Sequence, residues 1–350
     1  MSDSMLDIEV TRRCNLRCDY CFVGWSRDWT SDMPELSAHH IVREGAGLFQ
    51  QLHFTGGEPF AYKALLDLCE AGIQAGYDEV FINTNATMFC EEHLERMKAM
   101  GPKLRLTVSL DGPKEIHDPV RGPGRFEEAT KGLDALLSRG IRACVMSVVT
   151  PAVLEVLPEF LRELAQAHPQ FEGVTLFPVG VGPEGSQKPG SLLRPLSPTE
   201  LRRLATIVAI KYRLGYPVNV AAYPMINPLL EAMGYPRERL YQCSAGRGRV
   251  CVHADLSVST CHPVKDPVYG HYRPGLLAEI VEMEAHDRMR RRDFEGCRDC
   301  THQEICGHCR AFVRASGEDL YGNDRICHEV LGEGSAAPRA SQKRRLSLVD

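Results

Sequence analysis

Thr11-Arg12-Arg13-Cys14-Asn15-Leu16-Arg17-Cys18-Asp19-Tyr20-Cys21 places three cysteines at C-x3-C-x2-C directly after a short apolar run at residues 6–10. Three thiols this close can hold one metal centre. A structural zinc site is closed by four ligands, and no fourth Cys or His follows within the next fifteen residues, so a closed zinc knuckle fits poorly. A four-iron cluster on three thiolates keeps one iron without a protein ligand, and that iron can bind and reduce a small molecule. On spacing alone, a zinc or redox-thiol loop stays open as the alternative.

The flanking sequence alternates apolar runs of strand length with stretches of helical periodicity up to about residue 215. Strands are expected at 6–10, 51–54, 79–82, 104–110, 143–149 and 174–177, and helices at 36–48, 61–75, 91–100, 126–138, 152–166 and 198–213. The last helix opens with Ser197-Pro198-Thr199-Glu200, a capping box with proline at the first helical position. Repeated strand then helix means parallel strands, so the class is α/β and the six strands curve into a barrel or most of one. Chemistry in such a fold gathers at the C-terminal strand ends, where the motifs lie.

The three-cysteine loop follows strand one. After strand two comes Thr55-Gly56-Gly57-Glu58-Pro59-Phe60, whose glycines let backbone approach a ligand and whose Glu58 can accept from an ammonium group; a bare turn is the alternative. Strand three ends in Asn83-Thr84-Asn85-Ala86, short polar side chains suited to ribose hydroxyls. Strand four ends in Ser109-Leu110-Asp111-Gly112-Pro113, then Ile116-His117-Asp118 and Arg121-Gly122, which also reads as a turn of Asp, Gly and Pro.

A chain of 350 residues suggests a barrel-sized unit plus a smaller one. The net charge of -5 offers no basic footprint for nucleic acid, and the basic run at residues 343–345 lies in the tail. No apolar run approaches the roughly 18 residues of a spanning helix and the N-terminus lacks a signal-peptide layout, so no membrane is expected and the location expected is cytoplasmic. There the 14 cysteines favour metal ligation over disulfides.

Together, Cys14, Cys18 and Cys21, the stretch Gly56, Gly57, Glu58 and Pro59, and the run from Ser109 to Arg121 resemble radical S-adenosylmethionine (SAM) enzymes, in the branch of anaerobic sulfatase-maturating enzymes and ribosomal-peptide maturases. The resemblance implies a partial (β/α)6 barrel and a [4Fe-4S] cluster on the three cysteines whose open iron chelates S-adenosyl-L-methionine. It also implies a contact from Glu58 to the methionine ammonium, and Asn85, Ser109 and Arg121 near the ribose and carboxylate. One electron from the cluster then gives methionine and a 5′-deoxyadenosyl radical that takes a hydrogen atom from substrate.

A second cysteine group, Cys243, Cys251, Cys261, Cys297, Cys300, Cys306, Cys309 and Cys327, resembles a SPASM module. That resemblance implies Cys243, Cys251, Cys261 and Cys309 on a first auxiliary [4Fe-4S] cluster, and Cys297, Cys300, Cys306 and Cys327 on a second, three clusters in all. Leu256 stands where the pattern has glycine, and the gap from Cys306 to Cys309 is one residue short. A pair of zinc ribbons is the alternative. If Cys251 is a ligand, the first auxiliary cluster carries electrons; if it is merely buried, an open iron there could bind substrate.

His262 stands where sulfatase-maturating enzymes have an aspartate base, and is the candidate catalytic base; a hydrogen bond to cluster sulfur is the other reading. Cys69, Cys90 and Cys144 are expected in the core, His39 and His40 on a helix surface, and Trp25 and Trp29 at the barrel mouth or simply packed. The expected division is barrel 1–215, bridge 216–240, cysteine-rich module 241–328 and disordered tail 329–350. The expected activity is oxidative modification of a side chain of a peptide or protein, first a thioether or carbon–carbon cross-link in a ribosomal peptide. Formylglycine formation on a sulfatase, small-molecule oxidation (a sugar alcohol or tetrapyrrole) and a non-catalytic zinc or iron–sulfur protein follow. Partners implied are a flavodoxin- or ferredoxin-type electron donor and, since strand one starts within ten residues of Met1, a separate leader-recognition protein or none.

Overall fold

The computed structural model describes residues 4–24, 30–180, 191, 193–264, 266–294, 297, 300–306, 309–315, 319–322 and 326–331. Trp25, Trp29, the connection at 181–190 and the tail beyond 331 lie outside them. Strands β1 (Met5–Thr11), β2 (Gln51–Gly56), β3 (Glu79–Thr84), β4 (Leu104–Ser109), β5 (Arg142–Val149) and β6 (Val174–Pro178) appear where the apolar runs predict them. Each pairs in parallel with the next. Helices α1 (Glu35–Gly45), α2 (Leu65–Ala75), α3 (Glu91–Ala99), α4 (Lys114–Arg121), α5 (Arg125–Ser138), α6 (Pro151–Ala167) and α7 (Pro198–Arg213) fill the connections. The α7 capping box is formed: Ser197 Oγ accepts from the Glu200 N–H while Glu200 accepts from the Ser197 N–H.

Three further strands extend the sheet: β7 (Val218–Val220) beside β6, β8 (Arg249–Val252) parallel to β1, and β9 (Val258–Ser259) antiparallel to β8. The order is β7-β6-β5-β4-β3-β2-β1-β8-β9, an open α/β sheet whose parallel part is a partial barrel. The sheet thus runs through the stretches read as bridge and cysteine-rich module. With two to four residues, β7 to β9 are too short to show a period. Within the barrel the unforeseen element is α4, and beyond it several short helices, one of them Asn227–Ala232, are also unforeseen. Gly112, at φ +73, and Pro113 at the N-cap turn the chain into a helix where the sequence reads as an open turn.

Strand alternation decides what faces the barrel interior. In β1, Leu6, Ile8 and Val10 are fully buried in the core with Ile41 and Val42 of α1, while Asp7, Glu9 and Thr11 take the other face. Cys69 and Cys144 are buried as expected; Cys90 is exposed, because it precedes the first turn of α3 rather than packing beneath it. Among the described residues no helix is long and apolar enough to cross a membrane.

Candidate functional site

The cysteine loop leaves β1 under tight backbone control. Gly57 N–H donates to Thr11 O at 2.7 Å and Glu58 N–H to Arg13 O at 2.8 Å. A Cβ on Gly56 would meet Thr11 O at 2.3 Å, and one on Gly57 would meet Arg13 O at 2.1 Å. The glycine pair therefore admits the backbone of the cysteine loop itself, a different close approach from the ligand contact the sequence suggests. Arg13 holds Asp32 through Nε at 2.9 Å and a terminal nitrogen at 2.7 Å. Leu16 N–H donates to Cys14 Sγ at 3.3 Å, and the Cys21 N–H closes a turn onto Cys18 O at 3.2 Å. Burial pushes the Cys18 thiol up to about 12, so a thiolate there needs a cation beside it.

Among the described residues no three His, Cys, Asp or Glu side chains converge closely enough for a single metal ion. A four-iron cluster needs no such convergence, because each thiolate takes a different iron. Three thiols and a buried carboxylate lining one cavity match that donor chemistry better than a zinc site.

Glu58 is 1% exposed and fully engaged: Oε1 accepts from Thr84 Oγ1 at 2.7 Å and Phe60 N–H at 3.2 Å, and Oε2 from Asn85 N–H at 2.7 Å. Burial outweighs these bonds and lifts its carboxyl to about 7. An incoming ammonium would restore its charge. The Asn85 amide donates to Asn15 Oδ1 at 2.8 Å, joining the end of β3 to the cysteine loop, and Ser109 lines the same cavity. Arg121 ends α4 and is buried against Asp111, Nε to Oδ2 at 2.6 Å. The Tyr20 hydroxyl donates to the same oxygen, and Val148 N–H donates to Oδ1 at 2.7 Å. Asp111 N–H donates to His117 Nδ1 at 3.1 Å, and burial holds that imidazole down to about 4. This knot ties the loop at Tyr20 to β4, α4 and β5, at a position where the Asp111-Gly112-Pro113 sequence by itself predicts a turn.

Both cysteine groups open on one cavity of about 320 Å³. Its wall carries Cys14, Cys18 and Cys21, the Gly56, Gly57 and Glu58 run, Asn85, Ser109 and Arg121, and also Cys243, Cys261, His262 and Cys309. Phe22 of the loop meets Phe177 of β6 at 5.5 Å and Phe312 of the short helix Arg310–Ala315 at 6.4 Å, closing the wall with apolar surface. Cys251 is fully buried in β8, its Sγ 4.0 Å from His253 Nδ1. Cys297 packs near Cys243 and Cys261, Cys306 and Cys327 join the main core, and Cys300 is half-buried. The short gap between Cys306 and Cys309 lies outside the described residues.

Two buried carboxylates on β1 organise the cavity floor. Asp7 binds Arg249 at 2.6 and 2.9 Å and His53 Nδ1 at 2.7 Å; burial opposes its charge, but Arg249 and His53 together hold its carboxyl well below the usual range. Glu9 Oε2 lies 3.1 Å from His253 Nδ1 and 3.0 Å from His262 Nε2, and Oε1 accepts from Arg12 Nε at 2.9 Å. His262 is thus held by a carboxylate at the cavity wall. A parallel strand covered on both faces is normally apolar throughout, so charges at residues 7 and 9 of an otherwise apolar run were the available signal.

Residues 8–168 match the Radical SAM superfamily model. The chain is 28% identical over 342 residues to the AdoMet-dependent heme synthase of Methanosarcina barkeri, covering 91% of this chain and 94% of that protein. SuiB of Streptococcus suis bound to S-adenosylmethionine superposes with a TM-score of 0.73 at 17% identity, covering 93% of this chain and 77% of that one; it is also solved with its precursor peptide SuiA. Native anSMEcpe with bound AdoMet gives a TM-score of 0.70 at 18% identity, covering 93% and 94%. At such identities the likeness establishes the fold. A domain of that superfamily implies S-adenosylmethionine and at least one [4Fe-4S] cluster. The strand-end motifs, the fold and the family match agree: residues 8–168 carry a radical SAM superfamily domain.

Proposed function

We propose that Cys14, Cys18 and Cys21 hold the family's [4Fe-4S] cluster and that the second cysteine group holds two further clusters, so that a substrate between them is oxidised by two electrons. The observation that carries this is the single cavity walled by thiols of both groups. When bound, the cluster and S-adenosylmethionine supply a 5′-deoxyadenosyl radical, which removes a hydrogen atom from substrate. The chain's own part is to bind and orient. Glu58 takes the ammonium of the cofactor, Asn85 and Ser109 border its ribose, and Arg121, held by Asp111, faces its carboxylate. Clusters held by the second cysteine group would supply the acceptor for the remaining electron, and a base at the cavity wall takes the proton. His262, carried by Glu9, is that base. The Phe22, Phe177 and Phe312 wall excludes water from the radical.

The first reading of the substrate is a side chain of a peptide or protein, supported by fold likeness to a protein solved with its precursor peptide. The second is a tetrapyrrole or other small molecule, supported by the heme synthase relative, which is matched over 94% of its length. The test is mass analysis: coexpress the enzyme with short peptides encoded beside its gene, and separately incubate it anaerobically with an iron tetrapyrrole, reductant and S-adenosylmethionine. Loss of hydrogens in pairs from a peptide, absent when Cys14, Cys18 and Cys21 are alanine, is the expected result. A changed tetrapyrrole beside an unchanged peptide replaces the first reading with the second. Stable masses on both sides, with 5′-deoxyadenosine still formed, overturn both substrate classes.

A further inference from the structure

Arg292 lies 7% exposed in a small recess that it lines with Cys243, Arg247, Met289, Phe294 and Arg310. Its guanidinium meets neutral acceptors: one terminal nitrogen donates to Gln303 O, the other to Gln242 Oε1 at 3.1 Å. Arg247 shares that same amide oxygen at 3.4 Å. Arg310 is 1% exposed, stacks 4.0 Å over Phe294 and donates to Gly322 O at 2.7 Å. Among the described residues no carboxylate pairs with Arg292.

A buried guanidinium stays protonated and is strongly unfavourable without an opposing charge. The backbone is also held in an uncommon state, since Arg292 has φ +53, pinned by its N–H on Met289 O at 3.1 Å and by Phe294 N–H on its carbonyl at 2.8 Å. Strain at a non-glycine residue persists where the surroundings impose it, often for function. Its recess shares Cys243, Met289 and Phe294 with the small apolar cluster that holds Cys297, and the thiols of Cys243, Cys306 and Cys297 favour its charged form. Under the reading above, Cys243 belongs to the first auxiliary site and the other two to the second. Arg292 thus stands between the two sites, and a cluster held by thiolates is an anion.

We propose that Arg292 is the counter-charge of the iron–sulfur sites built on the second cysteine group and raises their reduction potential, so that they accept the electron released by the oxidised substrate. Reduction adds one negative charge to the cluster, and a fixed cation beside it favours the reduced form; net charge and solvent exposure are the levers that set such potentials. The electron comes from the substrate radical, whose proton leaves to the base at the cavity wall. This inference rests on the proposed function for the presence of those clusters.

The test is a potentiometric titration followed by electron paramagnetic resonance on the full chain carrying Cys14→Ala, Cys18→Ala and Cys21→Ala, so that remaining signals belong to the second group. Arg292→Gln is expected to lower the midpoint potential at unchanged iron content, and Arg292→Lys to restore most of it. If Arg292→Gln loses iron while Arg292→Lys keeps both iron and midpoint, the charge role stands. An unchanged midpoint in Arg292→Gln at full iron content overturns the inference, as does equal loss of iron in both variants, which makes the role one of shape. Absence of iron from the parent before any change at Arg292 brings down the auxiliary-cluster reading itself, and this inference with it.

Discussion

The two cysteine regions are built in opposite ways. The N-terminal thiols sit within eleven consecutive residues, and the loop is shaped by backbone bonds to Gly57 and Glu58 and by the Tyr20–Asp111–Arg121 knot. The second group draws its thiols from the loop before β8, from β8, from the turn after β9, from the loop positions 297, 300 and 306 and from the start of two short helices, with Arg292 and Arg310 in the recess beside Cys243. A site made of one loop can be read from spacing; a site assembled from distant segments exists only once the sheet has brought β8 against β1.

The largest predicted effect breaks the comparison at its first half. Alanine at Cys14, Cys18 and Cys21 together removes one cluster's worth of iron and abolishes 5′-deoxyadenosine formation, measured by iron assay and chromatography under reducing conditions, while iron on the second group persists. Next is Arg121→Met, which leaves Asp111 buried without its cation; breaking such a pair costs about 3–5 kcal/mol, read by chemical denaturation of the apoprotein.

Glu58 gives a pH signature. Its carboxyl stands at about 7 instead of 4.5, so between those values the folded state holds a proton that the unfolded chain has released. Apoprotein stability therefore falls as pH rises across that window, by up to about 3 kcal/mol, and levels off above it. Glu58→Gln flattens this dependence and abolishes S-adenosylmethionine binding, tested by urea unfolding at both ends of the window and by calorimetry. Gly57→Ala forces a Cβ to 2.1 Å from Arg13 O and costs about 1–3 kcal/mol, with impaired cluster assembly; a thermal melt and iron assay check it. The smallest effect is at Leu256. This residue holds φ +65, so the backbone conformation that the pattern reserves for glycine is kept by a leucine half-packed on the core. Leu256→Gly trades strain relief against lost burial, and its net change by denaturation is under about 1 kcal/mol.

The same contrast explains what the sequence could show. The six strands and their helices were legible because each apolar run is long enough to carry a period. The short strands β7 to β9 were not, and α4 is only eight residues long with Pro119 inside it, so the apolar side at Ile116 and Val120 is too brief to separate from a turn. At the site, the residue types at the strand ends announced themselves, but their partners did not. Thr84 holds Glu58, Asp111 holds Arg121, and Asp7 and Glu9 hold His53 and His262, pairings that arise from strand register for Asp7 and His53 and from tertiary packing for the rest. His53, level with Asp7 on the next strand, carried no motif at all.

The central claim is that thiols of both regions carry iron–sulfur clusters facing one cavity. Mössbauer spectroscopy of anaerobically prepared protein, with and without alanine at Cys14, Cys18 and Cys21, tests it most directly. The account predicts [4Fe-4S] signals in both samples, with the variant losing a single cluster's share. A variant stripped of all cluster signal, or holding zinc in place of iron, would contradict it.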